Sequence, residues 1–144
     1  MSVVGQTESS QRGDGLFAWH VMSHDVDVAV VPEYLPERSS PERNFYSYAY
    51  YVTVTNFGTE PIQLNRRHWI ITDGNGFVEN IEGEGVVGEQ PWIAPGATYG
   101  YESGCPLRTP TGNMRGWYHF QTKSGIHFKS RIPLFFLRTN SLRH

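Results

Sequence analysis

Six consecutive residues of this 144-residue chain match the glycine pattern of a dinucleotide cradle: Gly83-Glu84-Gly85-Val86-Val87-Gly88 reads G-x-G-x-x-G. That chemistry needs the pattern between a strand and a helix, so that the helix N-terminus faces the pyrophosphate. Here the motif runs into Glu89-Gln90-Pro91-Trp92 and then a Pro95-Gly96 turn, so no helix follows and a helix-borne phosphate site is excluded. A backbone nest that cradles an anion without a helix remains open, with Gly83, Glu84, Gly85, Gly88 and Glu89 as its candidate ligand residues. Glu82, Glu84 and Glu89 flank the loop and repel phosphate unless a cation screens them. The same carboxylates are the oxygen ligands a hard divalent cation takes, although no D-x-D-x-D-G spacing accompanies them. With no ligand, the glycines serve close packing and unusual φ.

Other chemistry finds less support. His20 and His24 have the i, i+4 spacing of a metal pair but lack both the intervening base and a helix; His68, His119 and His127 fall on strands. Cys105 is the single cysteine, which excludes an internal disulfide and a multi-cysteine metal site and reads as a buried small hydrophobe. There is no G-x-S-x-G elbow and no framed carboxylate pair. The residue pattern asks for neither an enzyme nor a cofactor.

Charge points to binding. Twelve basic and fourteen acidic residues give a net charge of −2, which excludes a globally basic nucleic-acid binder. From Asp73 to Glu102 there are six acidic residues and no basic one, and from Arg108 onward seven basic and no acidic one. These segments either pair internally or present separate acidic and basic faces to a polar partner. Ten of the twelve cations are arginine, suited to planar and bidentate contacts. Arg66, Arg115 and Arg131, with Trp92 on the Gly/Pro-rich loop as an exposed aromatic anchor, are the candidate partner-binding residues.

The elements that must position these residues are strands. Glycine (15) and proline (9) supply one residue in six and aromatics 14%, which suits short strands and tight turns. Segments 25–31, 45–56, 62–73, 77–83, 98–103, 114–122 and 126–136 alternate or are β-branched and aromatic. Asp73-Gly74-Asn75-Gly76 and Lys123-Ser124-Gly125 read as hairpin turns, and Pro133 marks an edge or a bulge in the last strand. The expected architecture is all-β: one seven-stranded antiparallel β-sandwich of fibronectin type III or immunoglobulin kind over 23–138. Residues 1–22 are expected to be a flexible arm, in which LFAWHVM (16–22) docks on the body or pairs with a sheet edge, and 139–144 a tail. The apolar runs at 16–19 and 132–137 are far short of the ~20 residues of a membrane span, and the reading is a soluble cytoplasmic protein with no membrane partner. An exposed edge strand is compatible with a homodimer formed by strand addition.

Several stretches together carry a resemblance: VVPEYLPERSSPERN (30–44), RRHWIITDGNG (66–76), VENIEGEGVVGEQPWIAPG (78–96), YESGCPL (101–107) and GNMRGWYHF (112–120). From about Asp25 to Arg138 the chain resembles the ApaG family. The resemblance implies a fibronectin type III-like sandwich, a bacterial cytoplasmic setting and no established enzymatic activity. Similar domains in eukaryotic F-box proteins act in protein–protein interaction, and family naming links ApaG to cobalt/magnesium efflux. The implied function is therefore a non-enzymatic protein-interaction module, the alternative being a binder of phosphate compounds or divalent cations at Gly83–Gly88.

Overall fold

The computed structural model describes residues 8–11 and 17–139, so the expectations for 1–7, 12–16 and 140–144 lie outside the described residues. Among the described residues ten strands make two antiparallel sheets. They are β1 (Glu8–Gln11), β2 (Phe17–Ser23), β3 (Val26–Tyr34), β4 (Tyr46–Asn56), β5 (Ile62–Asp73), β6 (Val78–Glu84), β7 (Trp92–Ile93), β8 (Thr98–Leu107), β9 (Gly112–Thr122) and β10 (His127–Leu137). One sheet has the order β1-β2-β3-β4-β8; the other has β10-β9-β5-β6, with β7 also paired to β5. All seven expected strands are present, and β1, β2 and β7 raise the count above seven. Residues 17–22, expected within the arm as a segment that docks on the body or pairs with a sheet edge, take the pairing: β2 pairs with β3 in register from Trp19↔Val30 to Ser23↔Val26. The apolar bulk there, Ala18 and Val21, is buried, which outweighs the cost of ordering an end segment.

Alternation decides which residues fill the space between the sheets. Val26, Val28 and Val30 of β3, and Tyr48, Tyr50, Val52 and Val54 of β4, are buried against Trp69, Ile71, Tyr118, Phe120 and Phe135 of the second sheet. Trp69 meets Tyr50 edge-on at 5.2 Å and Phe135 at 6.0 Å, a favourable geometry for aromatic quadrupoles. Ser23 closes the seam between the sheets: its hydroxyl accepts from the Arg131 N–H at 2.8 Å, and its carbonyl accepts from the Ser130 hydroxyl at 3.0 Å. Both serines are buried, so these bonds satisfy groups that water does not reach.

Two irregularities matter for function. The β9–β10 register shifts between Ile132 and Phe135, around Pro133, as a proline without an N–H requires. The β5–β9 register shifts between Leu64 and Arg66, so Asn65 is the extra residue. That bulge resets the phase of β5: Leu64 points inward before it, and Trp69 and Ile71 are the buried set after it.

Cys105 lies in the core, where burial, with the Glu79 carboxylate second, pushes its thiol up to about 12. At about pH 8 the native protein is expected to leave Ellman's reagent unreacted, with one thiol appearing on unfolding. Rapid reaction of the folded protein would contradict this packing.

Candidate functional site

Each glycine of the motif answers to a steric demand inside the protein. Gly83 stands opposite Arg67 across the β5–β6 pair, and a Cβ there would meet the guanidinium at 2.7 Å. Arg67 lies over this gap, and its Nη1 donates to the carbonyls of Glu84 (2.9 Å) and Gly85 (3.0 Å). Gly85 has φ +62, and a Cβ on it would fall 2.0 Å from the Glu89 carbonyl oxygen. Val86 and Glu89 then exchange two backbone bonds, at 2.8 and 2.9 Å. Between them Val87 (φ 47) and Gly88 (φ 79) both have positive φ, the signature of a primed turn. The Gly85 N–H donates to the Asn65 carbonyl, so the bulge in β5 is also the anchor of the loop.

Three of the loop's N–H groups are already used inside the protein. The N–H groups of Gly85, Val86 and Glu89 are committed to protein carbonyls, so a phosphate would have to open the loop to recruit them. The Glu84 and Glu89 side chains are exposed around it. Among the described residues no group of three or more His, Cys, Asp or Glu is placed to hold a metal ion.

The four residues expected to bind a partner, by contrast, are brought to one surface. After the bulge, the β5 positions alternating with Trp69 and Ile71 are Arg66, His68 and Ile70, on the outer face of the second sheet. The register sets Glu84, Arg66, His119 and Lys129 in one row across the four strands, and Glu82, His68, Trp117 and Arg131 in the next. Arg115 follows beside Ile70, and at the other end Trp92, 49% exposed, lies beside Gln63 with Lys123 Nζ 5.8 Å over its ring. At the centre, Trp117 lies between His68, ring centroids 5.8 Å apart, and Lys129, whose Nζ sits 5.6 Å over the indole. Arg66 reaches Glu82 at 3.5 Å, and His68 Nε2 is 2.9 Å from Asn80 Oδ1.

Acidic and basic segments are thus separated across this face. Glu82 and Glu84 of β6 occupy one edge and the cations of β9 and β10 the other, with β5 between. The partner set expected from the sequence, Arg66, Arg115, Arg131 and Trp92, leaves out Trp117, His68, His119 and Lys129. The period-two patterns Arg115-x-Trp117-x-His119 and Lys129-x-Arg131 carry that signal; Arg66-x-His68 joins only once the bulge sets the phase.

The electrostatics of the face appear at His119. Partial burial lowers its pKa, and Lys129, Arg66 and His68 lower it further, against Glu82. An NMR titration is expected to place His119 below the ordinary ~6.5, and Lys129→Gln is expected to move it upward. Since the folded value is depressed, the stability linked to His119 is complete above the unfolded pKa. It is lost as pH falls through the folded one. An ordinary or raised His119 pKa would mean that the cations do not converge on this strand.

The family model of the ApaG domain matches residues 36–122. Protein ApaG of Bordetella pertussis is 50% identical over 117 residues, 81% of this chain and 89% of that protein. Protein ApaG of Pseudomonas aeruginosa is 50% identical over 121 residues, 84% of this chain and 96% of that protein. A crystal structure of a Bordetella pertussis protein described as ApaA superposes with a TM-score of 0.77 at 51% identity, covering 79% of this chain and 93% of the other. With the ApaG-domain model matched over 36–122 and half of its residues shared along nearly the full length of these relatives, this chain belongs to the ApaG family.

Proposed function

We propose that this chain is a non-enzymatic protein-interaction module that docks an acidic partner on the outer face of the β10-β9-β5-β6 sheet. The observation that carries the reading is the surroundings of Trp117, half-buried between His68 and Lys129, with Arg131 beside it in its own row and Arg115 in the next. A flat, preformed surface with a central aromatic residue and peripheral guanidiniums has the composition of a binding hot spot. Its cations favour a partner that presents carboxylates, with fast, salt-dependent association.

The test is affinity capture from cell lysate with the full chain and with the Arg115→Glu/Arg131→Glu variant. Both arginines are exposed, so the variant is expected to keep its fold. The reading predicts a protein retained at low salt by the parent and lost by the variant. Equal retention by both, or robust turnover of a nucleotide by the pure protein, would refute it.

A further inference from the structure

Three loops meet at one end of the sandwich, away from the glycine loop. They are the turn at 41–45, the β5–β6 hairpin tip at 73–77 and the β8–β9 connection at 108–111. The hairpin tip is held firmly. Asp73 Oδ1 accepts the N–H groups of Asn75 (2.8 Å) and Phe77 (3.0 Å), and the Gly74 N–H donates to Thr109 Oγ1 at 2.8 Å. Thr109 Oγ1 in turn donates to the Thr111 carbonyl at 2.7 Å, and the Tyr48 hydroxyl donates to the Pro110 carbonyl. Two large aromatic side chains nevertheless stay in solvent here, Phe77 at 69% and Phe45 at 44% exposure. A braced end that leaves phenylalanines uncovered has the character of a binding surface.

Two adjoining hollows, of about 620 and 420 Å³, share Asn75 and Arg108. The smaller is walled by Ile71, Phe77, Pro106 and Leu107, with Glu79 and Asp73 also lining it. In the larger one the charged residues among the described lining are Arg43 and Arg108, with no acid among them. Among the described residues neither arginine has a carboxylate within ion-pair distance.

We infer that this end of the sandwich is a second docking groove, for an extended peptide segment of another protein that carries an apolar side chain next to a carboxylate. The apolar side chain fits the hollow under Phe77, and the carboxylate fits between the Arg43 and Arg108 guanidiniums, whose planar forks match it. Orientation follows from charge. Glu79 disfavours a carboxylate in the smaller hollow, so the acid goes to the arginine side and the apolar group to the other. The groove shares no residue with the outer sheet face, and the inference stands apart from that reading.

The experiment is a ¹H–¹⁵N NMR titration of the full chain with the capped peptide Ac-Ser-Phe-Glu-Ser-NH₂, its Gln counterpart and its Ala-Glu counterpart. Saturable shifts are expected at Asn44, Asn75, Phe77 and Thr109. The Gln or Ala peptide is expected to bind roughly tenfold more weakly or worse. Arg43→Glu/Arg108→Glu is expected to abolish the shifts, and both side chains are exposed, so the variant spectrum reports its own folding. Phe77→Ser is a second, independent variant with the same expected loss. No saturable shift at these amides up to several millimolar peptide, or equal binding of the Gln peptide, would overturn the groove. Shifts confined to 66–68, 115–119 and 129–131 would also overturn it while supporting the outer face.

Discussion

Gly116→Ala is expected to destabilise the protein by roughly 3 kcal/mol or more, the upper end of what overpacking costs. Gly116 is buried in β9 with Trp69 of β5 as its register partner on one side and Ile132 of β10 on the other. A Cβ at this position would lie 1.9 Å from the His68 carbonyl oxygen and 3.2 Å from the Trp69 Cα. These are backbone atoms of a strand paired on both sides, so neither can move without breaking a ladder. For a chain of this size the midpoint of thermal unfolding is expected to fall by roughly 6–12 °C. The control is Gly100→Ala, where the nearest atom to the added Cβ is 3.6 Å away, and which is expected to leave the midpoint near the parent's. A Gly116→Ala protein as stable as the parent would contradict the packing of β9 on β5. Since Gly116 backs Trp117, the outer face is also expected to distort, so this variant tests the fold and not the binding.

The second large effect is expected at Gly85→Ala. Its Cβ would meet the Glu89 carbonyl at 2.0 Å, and φ +62 is a conformation that alanine pays to adopt. The loop must open, which removes the bonds from Arg67 to the Glu84 and Gly85 carbonyls and uncovers Val86, a fully buried side chain. Losing that burial and those bonds together costs about 2–4 kcal/mol. Gly88→Ala separates sterics from backbone strain. Nothing lies within 4 Å of its Cβ, so only its φ of +79 resists, at a cost of about 1–2 kcal/mol. If the glycines served a ligand and not packing, both variants would match the parent in thermal unfolding of the ligand-free protein. The order expected here is parent, then Gly88→Ala, then Gly85→Ala, with no ligand added.

The strands were legible because alternation survives in them. Val26, Val28 and Val30, and the aromatic run from Tyr46 to Asn56, announce a buried face directly. β2 was harder to place, since its burial comes from pairing with β3, a contact that local pattern does not encode. β7, two residues long, is below the length at which periodicity exists. The glycine loop was legible as a loop but misleading as chemistry. Gly83 answers to the guanidinium of Arg67, a residue of another strand, and Gly85 to the Glu89 carbonyl, which only the folded turn brings over it. The candidate face was half legible. Arg66, Arg115 and Arg131 stood out as cations, but only the bulge at Asn65 sends Arg66 outward while leaving its neighbour Arg67 against Gly83. Trp117 was hidden by the general rule that tryptophans are core.

The most direct measurement is the dissociation constant of a captured partner against three proteins: the parent, Arg115→Glu/Arg131→Glu, and the loop variant Glu84→Gln/Glu89→Gln. Docking on the outer sheet face predicts that the arginine variant loses at least roughly 2 kcal/mol of binding, about thirtyfold, and steepens in salt sensitivity no further. It predicts that the loop variant binds as tightly as the parent or slightly more so, because two repelling carboxylates are gone. Unchanged binding by the arginine variant together with loss in the loop variant would contradict the account and move the site to the glycine loop.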